Sequence, residues 1–137
     1  MQIIKFLFLF SLLISSLHAV NIPWNHDYQK ALAQAKKEHK IVYLLIGADE
    51  CKYCQRLYDW TLSKPEVIKK MKKDYVLLYM SRDQQVIPPQ YEKYGAPRHY
   101  FINYKEEIIH SDQGSREPEG WYDVLDEVDL KRDDFVI

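Results

Sequence analysis

Apolar positions along this chain follow two patterns that alternate. IVYLLI (41–46) and YVLLYM (75–80) are continuous apolar runs of strand length, as a strand covered on both faces requires. Elsewhere apolar residues return every three or four positions, the spacing of a helix with one buried stripe. Trp24, Tyr28, Leu32 and Ala35 form one stripe, and Leu57, Tyr58, Thr61 and Leu62 a second. Val67, Ile68 and Met71 form a third, and Trp121, Val124, Leu125 and Val128 a fourth. Ser63-Lys64-Pro65-Glu66 has the form of a capping box with proline at the first helical position, which predicts the start of the third helix. Pro88-Pro89 predict one more short helix, ended by Gly95. RHYFIN (98–103) and EIIHS (107–111), joined through Tyr104-Lys105-Glu106, read as a β-hairpin, and the tail KRDDFVI predicts no element.

The predicted order is α, β, α, α, β, α, β, β, α. A β-α-β unit followed by a β-β-α unit builds one mixed sheet covered by helices, so the expected class is α/β. The chain has 137 residues, enough for a single core. At its start, MQIIK is a short positive segment, FLFLFSLLISSL an apolar run, and HA a small-residue exit at Ala19. This is the plan of a secretory signal peptide, and the run falls short of the roughly 20 apolar residues that cross a bilayer. The expected division is a signal peptide at 1–19 and one domain at 20–137, beginning VNIPW. Export would place the domain where disulfides persist.

Composition narrows the function. Hydrophobic residues at 47% and charged ones at 28% describe a globular chain. Its 19 Lys+Arg balance 20 Asp+Glu, which leaves no basic footprint for nucleic acid. The chemistry is concentrated in DECKYC (49–54), which holds both cysteines of the chain. They fall where a buried strand turns into a helix. Cα atoms at i and i+3 on a helix lie about 5–6 Å apart, within disulfide reach. Free N–H groups and the positive helix end favour a thiolate at Cys51, while Cys54 lies one turn inward. The first sulfur can attack a partner's disulfide, and the second can release the product. Lys52 assists that thiolate; Asp49 and Glu50 oppose it.

Other uses of the pair fit less well. Haem attachment needs histidine after the second cysteine, where Gln55 stands. Structural zinc wants four ligands, and neither a second cysteine pair nor an H-x₃₋₅-H pairing is present. A static disulfide across so short a loop removes little chain entropy. A Cys₂His copper site drawing in His99 stays open, as does capture of Cu(I) by the two cysteines in a non-catalytic metal-handling or interaction module.

IVYLLIGADECKYC (41–54) and YGAPRHYFIN (94–103) together resemble the thioredoxin superfamily, over roughly Trp24 to Val128. The resemblance is nearest to exported bacterial thioredoxin-like proteins with a C-x-Y-C motif, of the SoxW-like or thiol:disulfide interchange kind. It implies a thioredoxin fold: a mixed central sheet flanked by helices, with an N-terminal helix and an extra helix after the CxxC helix. It also implies a periplasmic thiol–disulfide oxidoreductase with Cys51 as nucleophile and Cys54 as resolving thiol. Pro97 would be cis and packed on the cysteines, with the backbone of Ala96 free to pair with an extended client. The redox centre is then the Cys51–Cys54 disulfide itself, and no separate cofactor or metal is expected. The implied partners are client proteins with thiols or disulfides and a membrane redox partner that recharges the domain.

The chain departs from the family pattern in places that matter. Glu50 stands for the usual tryptophan, Lys52-Tyr53 for Gly-Pro, and Leu45 for a buried aspartate. The proton acceptor for Cys54 is therefore left between Asp49, Glu50 and water. Family potentials run from about −270 to −120 mV, and the lack of Pro-His between the cysteines tilts the expectation towards a reductant.

Overall fold

A computed structural model describes residues 19–135; the predicted signal peptide lies almost entirely outside them. The elements are α1 (Tyr28–Glu38), β1 (Ile41–Gly47), α2 (Lys52–Leu57), α3 (Pro65–Asp74), β2 (Tyr75–Ser81), β3 (Arg98–Ile102), β4 (Ile108–Gln113) and α4 (Pro118–Arg132). A π-helical turn, Tyr58–Leu62, continues α2. The strands form one mixed sheet in the order β2-β1-β3-β4. β1 and β2 are parallel, with Gly47 beside Ser81, and the other two pairings are antiparallel.

Period-two alternation explains why β1 is apolar throughout. Ile41, Tyr43 and Leu45 face a cluster completed by Leu57, Leu62, Val67, Met71, Phe101, Trp121 and Leu125, under α2, α3 and α4. Val42, Leu44 and Ile46 face the opposite cluster, which includes Ala31, Leu32, Leu78, Tyr91 and Tyr100 beneath α1. Every residue of β1 is buried. Its C-terminal end therefore holds the next residues against a rigid support.

Four local expectations are corrected. The N-terminal helix starts at Tyr28 and excludes Trp24. Asn25 is held as a bridge to β2, its N–H donating to Leu77 O (2.8 Å) and its C=O accepting from Tyr79 N (2.9 Å). Asp27 then caps α1, accepting the N–H of Lys30 at 2.9 Å. The capping box at 63–66 does not form: Ser63 Oγ donates back to Asp59 O at 2.9 Å, closing the π turn, and Lys64 is the N-cap.

The second helical stripe likewise spans two elements, α2 and the π turn, in which Ser63 N–H reaches back five residues to Tyr58 O (2.8 Å). No helix forms after Pro88-Pro89. Tyr91 N–H makes a single turn to Pro88 O (3.1 Å), but the next N–H groups go to side chains. Tyr100 Oη accepts from Glu92, and Glu92 Oε1 accepts from Lys93 and Tyr94, so side chains take the bonds that would have propagated a helix.

Candidate active site

The site sits at the edge where β1 and β2 both end. In β1, Gly47 pairs beside Ser81 of β2, so Ala48–Glu50 and Arg82 emerge side by side, and Arg82 N–H donates to Gly47 O (3.0 Å). Cys51 is the N-cap of α2 in extended geometry, and the N–H of Cys54 donates to its Sγ at 3.1 Å. A Cys51–Cys54 disulfide is formed, with Cα atoms 5.2 Å apart. The same N–H would donate to a Cys51 thiolate after reduction, and α2 with its π extension aligns eleven residues of backbone behind it.

Pro97 is buried and immediately precedes β3, and the Ala96–Pro97 peptide bond is cis. Its carbonyl accepts from Gly114 N (2.9 Å), which ties it to the end of β4. No hydrogen bond among the described residues takes the backbone N–H or C=O of Ala96. Gly95, with φ of 71°, makes the left-handed turn into this segment, and its carbonyl accepts from Gln113 Nε2 (2.9 Å). A cleft of about 610 Å³ joins Cys51 to Ala96 across more than forty residues of sequence, and Glu50, Lys52, Tyr53 and Arg82 share its walls. A second cleft, about 400 Å³, continues past Tyr53 and Ala96 to Arg56 and Gly114.

The structure separates the two acids that precede the motif. Glu50 lines the cleft on the Cys51 side. Asp49 instead lines, with both cysteines, a cavity of about 230 Å³ whose walls include Trp24, Leu45, Tyr58 and Tyr79. Asp49 Oδ1 accepts from Ser81 Oγ (2.9 Å) and Gln84 Nε2 (2.8 Å), bonds that fix its direction. Tyr79 reaches this cavity over Gly47, where an added Cβ would stand 2.6 Å from its hydroxyl. Partial burial, then the nearby Asp49 and Asp83 charges, push the Tyr79 phenol above its ordinary value.

His99 is not available to the sulfurs. It is fully buried, with Tyr43 Oη 2.8 Å from Nδ1 and Gly114 O 2.7 Å from Nε2. A carbonyl can only accept, so Nε2 carries the proton and Nδ1 accepts from Tyr43. Burial pushes this ring down to about 4, which keeps it neutral. The copper site through His99 is thereby corrected: both nitrogens already have partners. Among the described residues no group of three or more His, Cys, Asp or Glu side chains is placed to hold a metal ion.

Arg56, Tyr79 and Arg82 belong to the site but were not singled out from the sequence. Arg82 had a topological signal, because the residues after two adjacent parallel strands share one edge of the sheet. Lys52 lies over the ring of Tyr53, with Nζ 5.0 Å from its centroid, so its charge is held at the cleft rim.

A mixed sheet with a CxxC disulfide after its parallel strand β1, and a buried proline just before the neighbouring strand β3, has the thioredoxin fold. The chain belongs to the thioredoxin-like family, whose model matches residues 23–103, well over half of its length. No curated protein matches it. Among solved structures it is similar to a thioredoxin from Thermus thermophilus at 26% identity and TM-score 0.69, covering 82% of this chain and 90% of that one. It is also similar to the oxidised C-terminal domain of DsbD from Neisseria meningitidis at 20% identity and TM-score 0.62, covering 76% and 97%. The oxidoreductase DsbH aligns at 19% identity and TM-score 0.64, covering 80% and 85%. The last two likenesses, at that identity, speak to the fold.

Proposed function

We propose that this protein is a thiol–disulfide oxidoreductase acting on client proteins in the periplasm after export, with a slight preference for the reducing direction. The observation that supports the reading best is the cleft that places a CxxC disulfide opposite the unpaired backbone of Ala96. A client strand pairing with Ala96 would bring its cysteine to Cys51 through main-chain hydrogen bonds, as strand addition does.

In the reducing direction Cys51 thiolate attacks one sulfur of a client disulfide. The client S–S bond breaks, a Cys51–client mixed disulfide forms, and the released client thiolate takes a proton. Cys54 then loses its proton and attacks Cys51 Sγ, which breaks the mixed disulfide and releases the second client thiol. Two electrons pass to the client, whose two sulfurs take their protons from solvent and from the group that received the Cys54 proton, and the Cys51–Cys54 disulfide remains. Asp49, sharing the cavity with Cys54, is the proposed acceptor for the Cys54 proton through water; it supplies what the family's aspartate supplies from the position of Leu45. A membrane redox partner would return the domain to the dithiol.

The test is an insulin-reduction assay together with the reduction potential of the pair. Catalysed reduction and a potential in the low part of the family range support the reductant reading; a potential near −120 mV makes the protein an oxidant. Stoichiometric Cu(I) that blocks both thiols in a protein inert towards insulin would favour metal handling instead. Export is tested by mass spectrometry of protein from its native envelope, where a mature chain beginning at Val20 is expected and an intact Met1 would mean retention of the N-terminal segment.

A further inference from the structure

The two clefts that meet at Ala96 carry charge out of proportion to the chain, whose formal net charge is −1, whereas the smaller cavity that both cysteines line holds Asp49. Their walls present Lys52, Arg56 and Arg82 against a single carboxylate, Glu50. Among the described residues Lys52 and Arg56 have no ion-pair partner, and Arg82 has only Asp83, with Nε 3.9 Å from Oδ1. These cations are held on exposed rings. Arg56 lies 5.3 Å from the centroid of Tyr53 and 5.0 Å from that of Trp60, and Arg82 lies 5.4 Å from that of Tyr94. Tyr53, Trp60 and Tyr94 are 46%, 41% and 64% exposed, which is costly surface to leave in water unless something covers it.

Resting on the exchange reading above, we propose that the site selects client segments with carboxylates next to the reacting cysteine. A guanidinium over an aromatic face can keep an N–H edge free for a carboxylate, as Arg56 does; Arg82 donates from Nη1 to Lys93 O (3.3 Å) and offers its remaining N–H groups. The ring also orders the long side chain before the client arrives, so less rotamer entropy is lost on binding. Arg82 leaves the end of β2, while Arg56 lies two residues beyond Cys54 on α2. Both clefts that they line include Ala96, so a strand laid on Ala96 meets a cation in each. Basic clients are opposed by the same charges.

The experiment uses peptides of one length, each closed by a single disulfide and flanked by Glu, Gln or Lys, reacted with the reduced protein under stopped flow. The Glu peptide is expected to react about tenfold faster than the Gln peptide at low salt, with the Lys peptide slowest. That advantage should vanish near 1 M salt, where screening acts within about 3 Å. Arg56→Gln and Arg82→Gln should each shrink the Glu/Gln rate ratio, and the double variant should bring it close to one. Both directions pass through the same mixed disulfide, so the oxidised protein with the dithiol peptides should give the same ranking. Equal rates across the set, or a preference for Lys, overturns the proposal. Uncharged hydroxyethyl disulfide separates the two readings. A protein inert to it has lost the exchange reading, whereas one that reacts with it but ranks the peptides equally has lost only the charge selectivity.

Discussion

Two clefts meet at one disulfide, and they differ. The larger is walled by Lys52, Arg82 and the backbone of Ala96, and of the two cysteines only Cys51 lines it. The smaller is lined by both cysteines, with Asp49, Tyr79, Tyr58 and Trp24. One side offers cations and an unpaired peptide group; the other offers a positioned carboxylate and aromatic walls. In the proposed exchange that difference divides two tasks: attack uses access and positive potential, while resolution uses somewhere to send a proton.

Exchanging the roles is the strongest way to break that comparison. Either Cys51→Ser or Cys54→Ser should abolish turnover. Only Cys54→Ser should accumulate client proteins in mixed disulfides on non-reducing gels, and equal trapping by both variants would dissolve the asymmetry.

His99 stands on β3 opposite Leu45, which lines the smaller cavity. Its ring, pushed by burial down to about 4 from an ordinary 6.5, stays neutral where an unfolded chain would take up a proton. Its contribution is therefore fully present above about pH 6.5 and is lost as the pH falls through 4, a total on the order of 3 kcal/mol. Urea midpoints at pH 7.5 and pH 4 should differ less in His99→Gln than in the parent. An identical pH slope would mean that the ring takes its proton without loss of the fold.

The third expectation concerns the divided acids. Asp49→Asn should lengthen the life of the mixed disulfide about tenfold in quenched single-turnover experiments, less than the roughly hundredfold or more of a base bonded directly to the proton, because water intervenes. Glu50→Gln, on the other side of the disulfide, should not lengthen it. If both variants behave alike, the cavity around Cys54 has no role in proton transfer.

The smallest effect is expected at the cleft rim. Lys52→Glu should move the alkylation profile of Cys51 upward by about half a pH unit, since an exposed charge acts through solvent. No movement would show that the ammonium, held over Tyr53, does not reach the sulfur.

Much of this was legible along the chain because it is local. Continuous apolar runs marked β1 and β2, since a strand buried on both faces must be apolar at both parities. The CxxC spacing and its place after β1 located the disulfide, and Pro97 opened β3 as its neighbourhood suggested. Helical period located α3 and α4, whose buried residues are those of the third and fourth stripes.

Other features were decided only when distant segments met. The period that carried Trp24 into a helix was overruled by a backbone bridge to β2, more than fifty residues away. Pro88-Pro89 could not show that Tyr100 would take the N–H of Glu92 and stop a helix. Asp49 and Glu50 are adjacent and chemically alike in sequence; Ser81 and Gln84 hold one at the cavity that both cysteines line, while the other lines the cleft that joins Cys51 to Ala96. The sequence by itself determined the strands, the redox pair and the proline. Tertiary structure alone decided which acid, cation and histidine nitrogen each of them meets, because long-range hydrogen bonds leave no periodic trace in the segments they join.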